Sequence, residues 1–109
     1  MGAYTAFYGS NQYAVAIGYE AGYDYSGSGS IAIGDRAGQN GLSQDSIAIG
    51  TYAQRNPSGW APIAIGRYAG EYNQGSQSVA IGSQAGNNGL GYHSVALGHY
   101  AANSGSGER

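Results

Sequence analysis

The chain has 109 residues and a formal net charge of −2, with 9% charged residues and no cysteine. That length supports one domain, residues 1–109, and the missing thiols exclude disulfides and thiolate metal sites. Lysine is absent and the arginines (Arg36, Arg55, Arg67, Arg109) are scattered, so there is no basic face for nucleic acid, and no apolar run reaches the ~20 residues of a membrane-inserted helix.

In chain order, the first segment already keeps a 16-residue register. Met1-Gly2 hold the last two positions of a tetrad, Tyr4 shares a column with Tyr52, Tyr68 and Tyr100, and Gly9 shares one with Gly41. The tetrad is then Val15-Ala16-Ile17-Gly18, Ile31-Ala32-Ile33-Gly34, Ile47-Ala48-Ile49-Gly50, Ile63-Ala64-Ile65-Gly66, Val79-Ala80-Ile81-Gly82 and Val95-Ala96-Leu97-Gly98, every spacing being 16. Repeats therefore start near Val15, Ile31, Ile47, Ile63, Val79 and Val95. Alanine returns six residues after each start (Ala21, Ala37, Ala53, Ala69, Ala85, Ala101), and serine precedes the tetrad at Ser30, Ser46, Ser78 and Ser94. Gly105 and Gly107 keep their columns near the C-terminus.

Such periodicity defines a repeat architecture. Branched residues flanking alanine alternate with the period of a strand. The glycine that follows suits a corner, where positive φ carries no steric penalty. Each repeat reads as a strand, a glycine corner, a weaker strand around the second alanine and a polar return loop. Ordering 16 residues costs roughly 24 kcal/mol at ~1.5 kcal/mol each, whereas two Ile/Val side chains and some alanines return roughly 3–6 kcal/mol. One turn cannot fold alone, so turns must stack. The expected fold is all-β: a single-chain parallel β-solenoid, or β-roll, of about seven 16-residue turns.

Within it, the larger apolar residues are expected to form the interior ladder: Val15, Ile17, Ile31, Ile33, Ile47, Ile49, Ile63, Ile65, Val79, Ile81, Val95 and Leu97. The central alanines would then face the second wall of the roll or a neighbouring chain. Residues after the tetrad glycine vary while the scaffold stays fixed, as exposed corners do. Together with the return loops they place Tyr19, Tyr52, Trp60, Arg67, Tyr68 and Tyr100 as expected lateral or ligand contacts, since aromatic and arginine side chains dominate binding surfaces. Pro57 and Pro62 are expected to make the Trp60 loop bulge outward, because proline cannot donate to a ladder.

Nothing in the sequence points to catalysis, a cofactor or a metal. His93 and His99 have no repeated carboxylate at ligand spacing. A narrow rod offers no enclosed pocket for a catalytic serine. Gly-x-x-Ala-Gly lacks the lysine of a phosphate loop. Asp24, Asp35 and Asp45 share no column, unlike calcium-binding repeats, and Thr5 and Thr51 are too few for an ice-binding array.

The motif Ser30-Ile31-Ala32-Ile33-Gly34-Asp35-Arg36-Ala37 resembles the head repeats of trimeric autotransporter adhesins, which also occur in phage and giant-virus fibre proteins. The resemblance implies a left-handed parallel β-roll, three chains packed side by side, and a place at the cell surface, virion surface or other extracellular site. The neck, heptad stalk and membrane anchor of those adhesins have no counterpart in this sequence. The expected function is therefore a non-enzymatic, self-associating fibre subunit whose partners are copies of itself, in a lateral trimer or stacked head to tail. The alternative is an adhesin head that binds a host glycan or matrix protein.

Overall fold

Three-residue alternation puts the outer residues of each tetrad on one face and the alanine on the other. In a computed structural model, which describes residues 14–23, 27–56, 59–72 and 74–102, each tetrad is a strand of that kind. The strands are β1 (Val15–Ile17), β2 (Ile31–Ile33), β3 (Ile47–Ile49), β4 (Ile63–Ile65), β5 (Val79–Ile81) and β6 (Val95–Leu97). They form one parallel sheet in sequence order. Every residue pairs with the residue 16 positions on, as in Ile31↔Ile47, Ala32↔Ala48 and Ile33↔Ile49.

The inter-turn bonding continues around the corners and the second wall. Gly34 N–H donates to the Ile17 carbonyl (2.8 Å), Gly22 N–H to Ala37 (2.8 Å) and Gly27 N–H to Leu42 (2.9 Å). Shorter bridges, Asn56↔Tyr72 and Gln74↔Leu90, join the return segments in parallel. The chain is thus a parallel β-solenoid, with five 16-residue steps between β1 and β6. The outermost parts of the seven-turn reading, residues 1–13 and 103–109, lie outside the described residues.

Glycine is compulsory at the first corner. Gly50 has φ +124°, and a Cβ there would stand 2.7 Å from the Gly66 carbonyl carbon of the next turn. The corner closes when Ala53 N–H donates to the Gly50 carbonyl at 3.1 Å. This makes a turn with a left-handed residue, Tyr52 (φ 60°), at its third position.

The interior reverses one expectation. Ala32, Ala48, Ala64 and Ala80 are fully buried, and so are Ala21, Ala37, Ala53, Ala69 and Ala85 of the second wall. Ser30, Ser46, Ser78 and Ser94, two positions before the central alanines, are buried on the same face. The expected interior ladder (Val15, Ile17, Ile31, Ile33, Ile47, Ile49, Ile63, Ile65, Val79, Ile81, Val95, Leu97) therefore points outward, with no member in the buried core. The reason is width. A methyl group added to Gly70 on the second wall would come within 3.2 Å of the Ala64 Cβ, and one added to Gly86 within 3.3 Å of the Ala80 Cβ. The walls meet at the level of their β-carbons, and an isoleucine cannot enter. Of the two alternatives for the alanine column, the interior is the one adopted.

In four of the described turns one larger side chain, Leu42, Gln54, Gln74 or Leu90, fills the remaining space, and it comes from either of two columns. A Cβ on Gly38 would lie 2.6 Å from Leu42 Cγ, one on Gly70 2.2 Å from Gln74 Oε1, and one on Gly86 2.8 Å from Leu90. In the turn between, the glycine column carries Gln54, fully buried, and the sequence puts Ser58, which lies outside the described residues, in the other column. In that turn the larger side chain comes from the glycine column instead. The buried amides hold backbone carbonyls: Gln54 Nε2 donates to Ile47 (2.9 Å) and Gln74 Nε2 to Ile63 (2.8 Å).

The Trp60 loop does not bulge from Gly59 onward. Trp60 N–H donates to Ser76 Oγ at 2.9 Å, and the Pro62 carbonyl accepts from Ile47 N–H at 3.0 Å. Pro62 is buried in the serine column. At the equivalent Ser30 the N–H bonds within its own turn, to Gly27 at 3.1 Å, rather than to a neighbouring turn. Proline there forfeits one local bond and leaves the ladder intact. Pro57 lies outside the described residues.

The exchange of large and small predicts a rescue. Gly38→Gln alone should overpack against Leu42 and cost about 1–3 kcal/mol, and Leu42→Ser alone should leave a cavity worth about 2–4 kcal/mol. The double variant copies the Gln54/Ser58 turn and should recover most of both losses, giving a coupling above ~1 kcal/mol in urea unfolding.

Candidate functional site

Two surfaces carry chemistry, one on each wall. The first is the outer face of the β1–β6 sheet. Its two columns stack Val15, Ile31, Ile47, Ile63, Val79 and Val95 beside Ile17, Ile33, Ile49, Ile65, Ile81 and Leu97. Rungs repeat at about 4.8 Å, so neighbours in each column shield one another and every member of the inner rungs is partly covered. The β6 rung is the most open, with Val95 55% exposed and Leu97 62%. The result is a continuous apolar stripe on solvent, of the kind that marks an interaction surface.

The second surface follows the first corner onto the second wall. Tyr52 and Tyr68, one rung apart, stack with ring centroids 5.2 Å apart and planes 8° from parallel. The Arg36 guanidinium lies 4.9 Å from the Tyr19 ring and 5.7 Å from Tyr52, and pairs with Glu20 at 3.3 Å. Arg55 lies 4.9 Å from Tyr52 and 5.6 Å from Tyr72, and Arg67 lies 5.2 Å from Tyr68. Arg55 Nη2 donates to Tyr72 Oη at 2.6 Å and faces the buried Glu71 carboxylate at 3.4 Å. Asn87 Nδ2 donates to the same carboxylate at 3.1 Å. The result is a continuous seam of alternating rings, guanidinia and carboxylates.

The corner column of this seam holds backbone strain. Glu20, Arg36, Tyr52, Tyr68, Gln84 and Tyr100 all have φ between 55° and 62°. Each such residue costs on the order of 1 kcal/mol that glycine would avoid, yet no glycine occupies the column. The rungs of this column from Glu20 to Tyr68 touch through ion pair, cation–π and ring stacking, and those contacts offset the strain.

Of the contact residues expected from sequence, the fold brings Tyr19, Tyr52, Arg67 and Tyr68 into this seam. Tyr100 stands at its far end with its ring 4.0 Å from His99. Trp60 does not join it and occupies the opposite corner, on the return loop. Arg55 and Glu71 were missed, and Arg36 and Tyr72, though on an exposed corner and a return loop, were not among the expected contacts. Their signal was present, since Glu20/Arg36 and Arg55/Glu71 are opposite charges 16 residues apart. Among the described residues, no group of three His, Cys, Asp or Glu could hold a metal ion. No helix there is long and apolar enough to cross a membrane.

Comparison with protein-family models, with curated proteins and with solved structures returns no match. The repeat geometry alone defines the class of the molecule: a parallel β-solenoid with a methyl-deep interior.

The seam's ion pairs should differ in worth according to burial. Arg55→Ala strips the counter-charge from the buried Glu71 carboxylate and should cost about 2 kcal/mol. Arg36→Ala acts at the more exposed Glu20 pair and should cost less than Arg55→Ala. Urea unfolding of the two variants, followed by far-UV circular dichroism, measures the difference.

Proposed function

We propose that the chain is a non-enzymatic structural protein that packs side by side with copies of itself through the Ile/Val stripe, as a subunit of a fibre. The exposed stripe is the observation that carries this reading. An interior of alanine methyls contributes only about 0.8 kcal/mol per buried methyl, and the twelve largest aliphatic side chains of the sheet remain on its outside. Covering them would add about 1.5–3 kcal/mol for each side chain taken fully from water.

A second copy is the occupant that fits best. It carries the same side chains at the same rung spacing, so its ridges meet the grooves of the first along the whole stripe. A partner of any other period would run out of phase within a few rungs. A closed ring of such rolls would leave no stripe exposed, and the trimer implied by the resemblance to autotransporter heads is one such ring. A cell-surface, virion-surface or other extracellular location rests on the same resemblance. Head-to-tail stacking concerns residues outside those described. The reading as an adhesin head that binds a host glycan or matrix protein draws on the exposed aromatic side chains of the corners.

The outward stripe reverses the effect expected of an acidic substitution. Ile49→Asp with Ile65→Asp places carboxylates on the surface of a single roll, and the roll should keep its strand signal in circular dichroism. In sedimentation velocity the unaltered chain should run as an oligomer and the double variant as a monomer, at every concentration tested. An unaltered chain that stays monomeric, or a variant that assembles equally well, would rule out the stripe as an interface.

A further inference from the structure

The return-loop corner just before each strand has its own composition. Its outer column reads Ser28, Gln44, Trp60, Ser76, Tyr92, and the column beside it reads Gly29, Asp45, Ala61, Gln77, His93. Trp60 is 50% exposed and Tyr92 61%, while Ser76 between them is small. Two rungs separate the rings, about 10 Å along the solenoid axis. That is the length of a disaccharide unit in an extended β-1,4-linked chain of pyranoses, which presents an apolar C–H face of the same kind once per repeat.

The corner is rigid. Gln77 N–H donates to the Trp60 carbonyl at 2.8 Å, His93 N–H to Ser76 at 3.1 Å and Asp45 N–H to Ser28 at 2.9 Å. Its backbone is therefore engaged between turns, leaving side chains to meet a ligand. Asp45, Gln77 and His93 sit in the left-handed region (φ 54–58°), where the first turn uses Gly29. Side chains are again kept against a backbone cost, and here no ring stack or ion pair among the described residues accounts for them.

We infer that the Trp60–Ser76–Tyr92 strip binds a neutral, extended β-linked polysaccharide along the solenoid axis, its rings stacking on alternate sugars and Gln44, Asp45, Gln77 and His93 meeting the hydroxyl groups. The chemistry selects this ligand over others. Rings provide apolar platforms, amides and a carboxylate suit hydroxyls that both donate and accept, and one carboxylate with no arginine disfavours sulfated or carboxylated chains. A proline-rich polypeptide, whose extended helix repeats over a similar ~9 Å, offers carbonyl acceptors but no donors for Asp45.

Trp60 is the lone tryptophan, so its fluorescence reports the strip directly. Cellohexaose, chitohexaose and mannohexaose are titrated separately into the full chain. At least one should give a saturable change in tryptophan emission, with the matching disaccharide at least tenfold weaker. Tyr92→Ala should weaken the hexasaccharide about tenfold while Tyr92→Phe stays within about threefold, both with an unchanged circular dichroism spectrum. The strip and the Ile/Val stripe share no residue, so Tyr92→Ala should leave the sedimentation coefficient unaltered, and loss of self-association should leave sugar binding intact. No emission change with any of the three sugars, or equal affinity in Tyr92→Ala, overturns the assignment. Saturation by a polyproline peptide in place of the sugars also overturns it, in favour of a protein ligand.

Discussion

The distance between the two walls governs this molecule. Because a Cβ on the second-wall glycines Gly70 and Gly86 would come within 3.2–3.3 Å of the Ala64 and Ala80 β-carbons, the described turns enclose methyl groups, a serine or Pro62, and at most one larger side chain. Apart from that one side chain, everything bulky points outward. That single constraint fixes the invariance of the alanine columns, the smallness of the serine column that Pro62 also satisfies, and the exposure of a branched aliphatic ladder. A conventional core hides its largest aliphatics, whereas here the backbone ladder holds the fold and the aliphatics are left for another surface.

With so little buried carbon, cohesion depends on inter-turn hydrogen bonds and on ladders of like side chains. The tetrad glycines show how closely turns approach: an added Cβ on Gly18, Gly34, Gly50, Gly66 or Gly82 would lie 2.6–2.8 Å from the glycine backbone of the next turn. The left-handed corner residues work in the opposite sense, holding side chains where glycine would relax the backbone. Strain retained in register marks surfaces whose side chains matter. In the seam they stabilise one another, and at the Trp60 corner they underlie the proposed ligand strip.

The 16-residue period made the fold legible before any coordinates, because tetrads, corner glycines and alanine columns all obey it. Alternation also showed that Ile and Ala lie on opposite faces. It could not show which face is interior, since period 2 is silent about the gap between walls, and assigning the larger residue inward follows a habit of wider folds. The clue was the pattern of variation. Positions such as Ser30 and Ala32 stay small in nearly every turn, as a tight space demands, while their neighbours drift among Ile, Val and Leu. Compensation between Gly38/Leu42 and Gln54/Ser58 was also in the sequence, but it becomes meaningful only when both columns are known to share one void. The seam escaped partly for a similar reason: Arg55 and Glu71 look unrelated until the turns are stacked.

An outward stripe leaves the branched aliphatics of a thin-walled chain on its surface, and the proposed self-association rests on it. Since the chain contains no cysteine, a single introduced thiol reports which face is which. Ala48→Cys and Ile49→Cys, neighbours in β3, can be compared for their reaction rate with a water-soluble disulfide reagent under native conditions. Ala48→Cys should react only as fast as the roll unfolds. Ile49→Cys should react rapidly in dilute protein and become protected as concentration rises and the stripe is covered. A protected Ile49→Cys beside a freely reactive Ala48→Cys in dilute monomer would contradict the methyl-deep interior and the interface that depends on it.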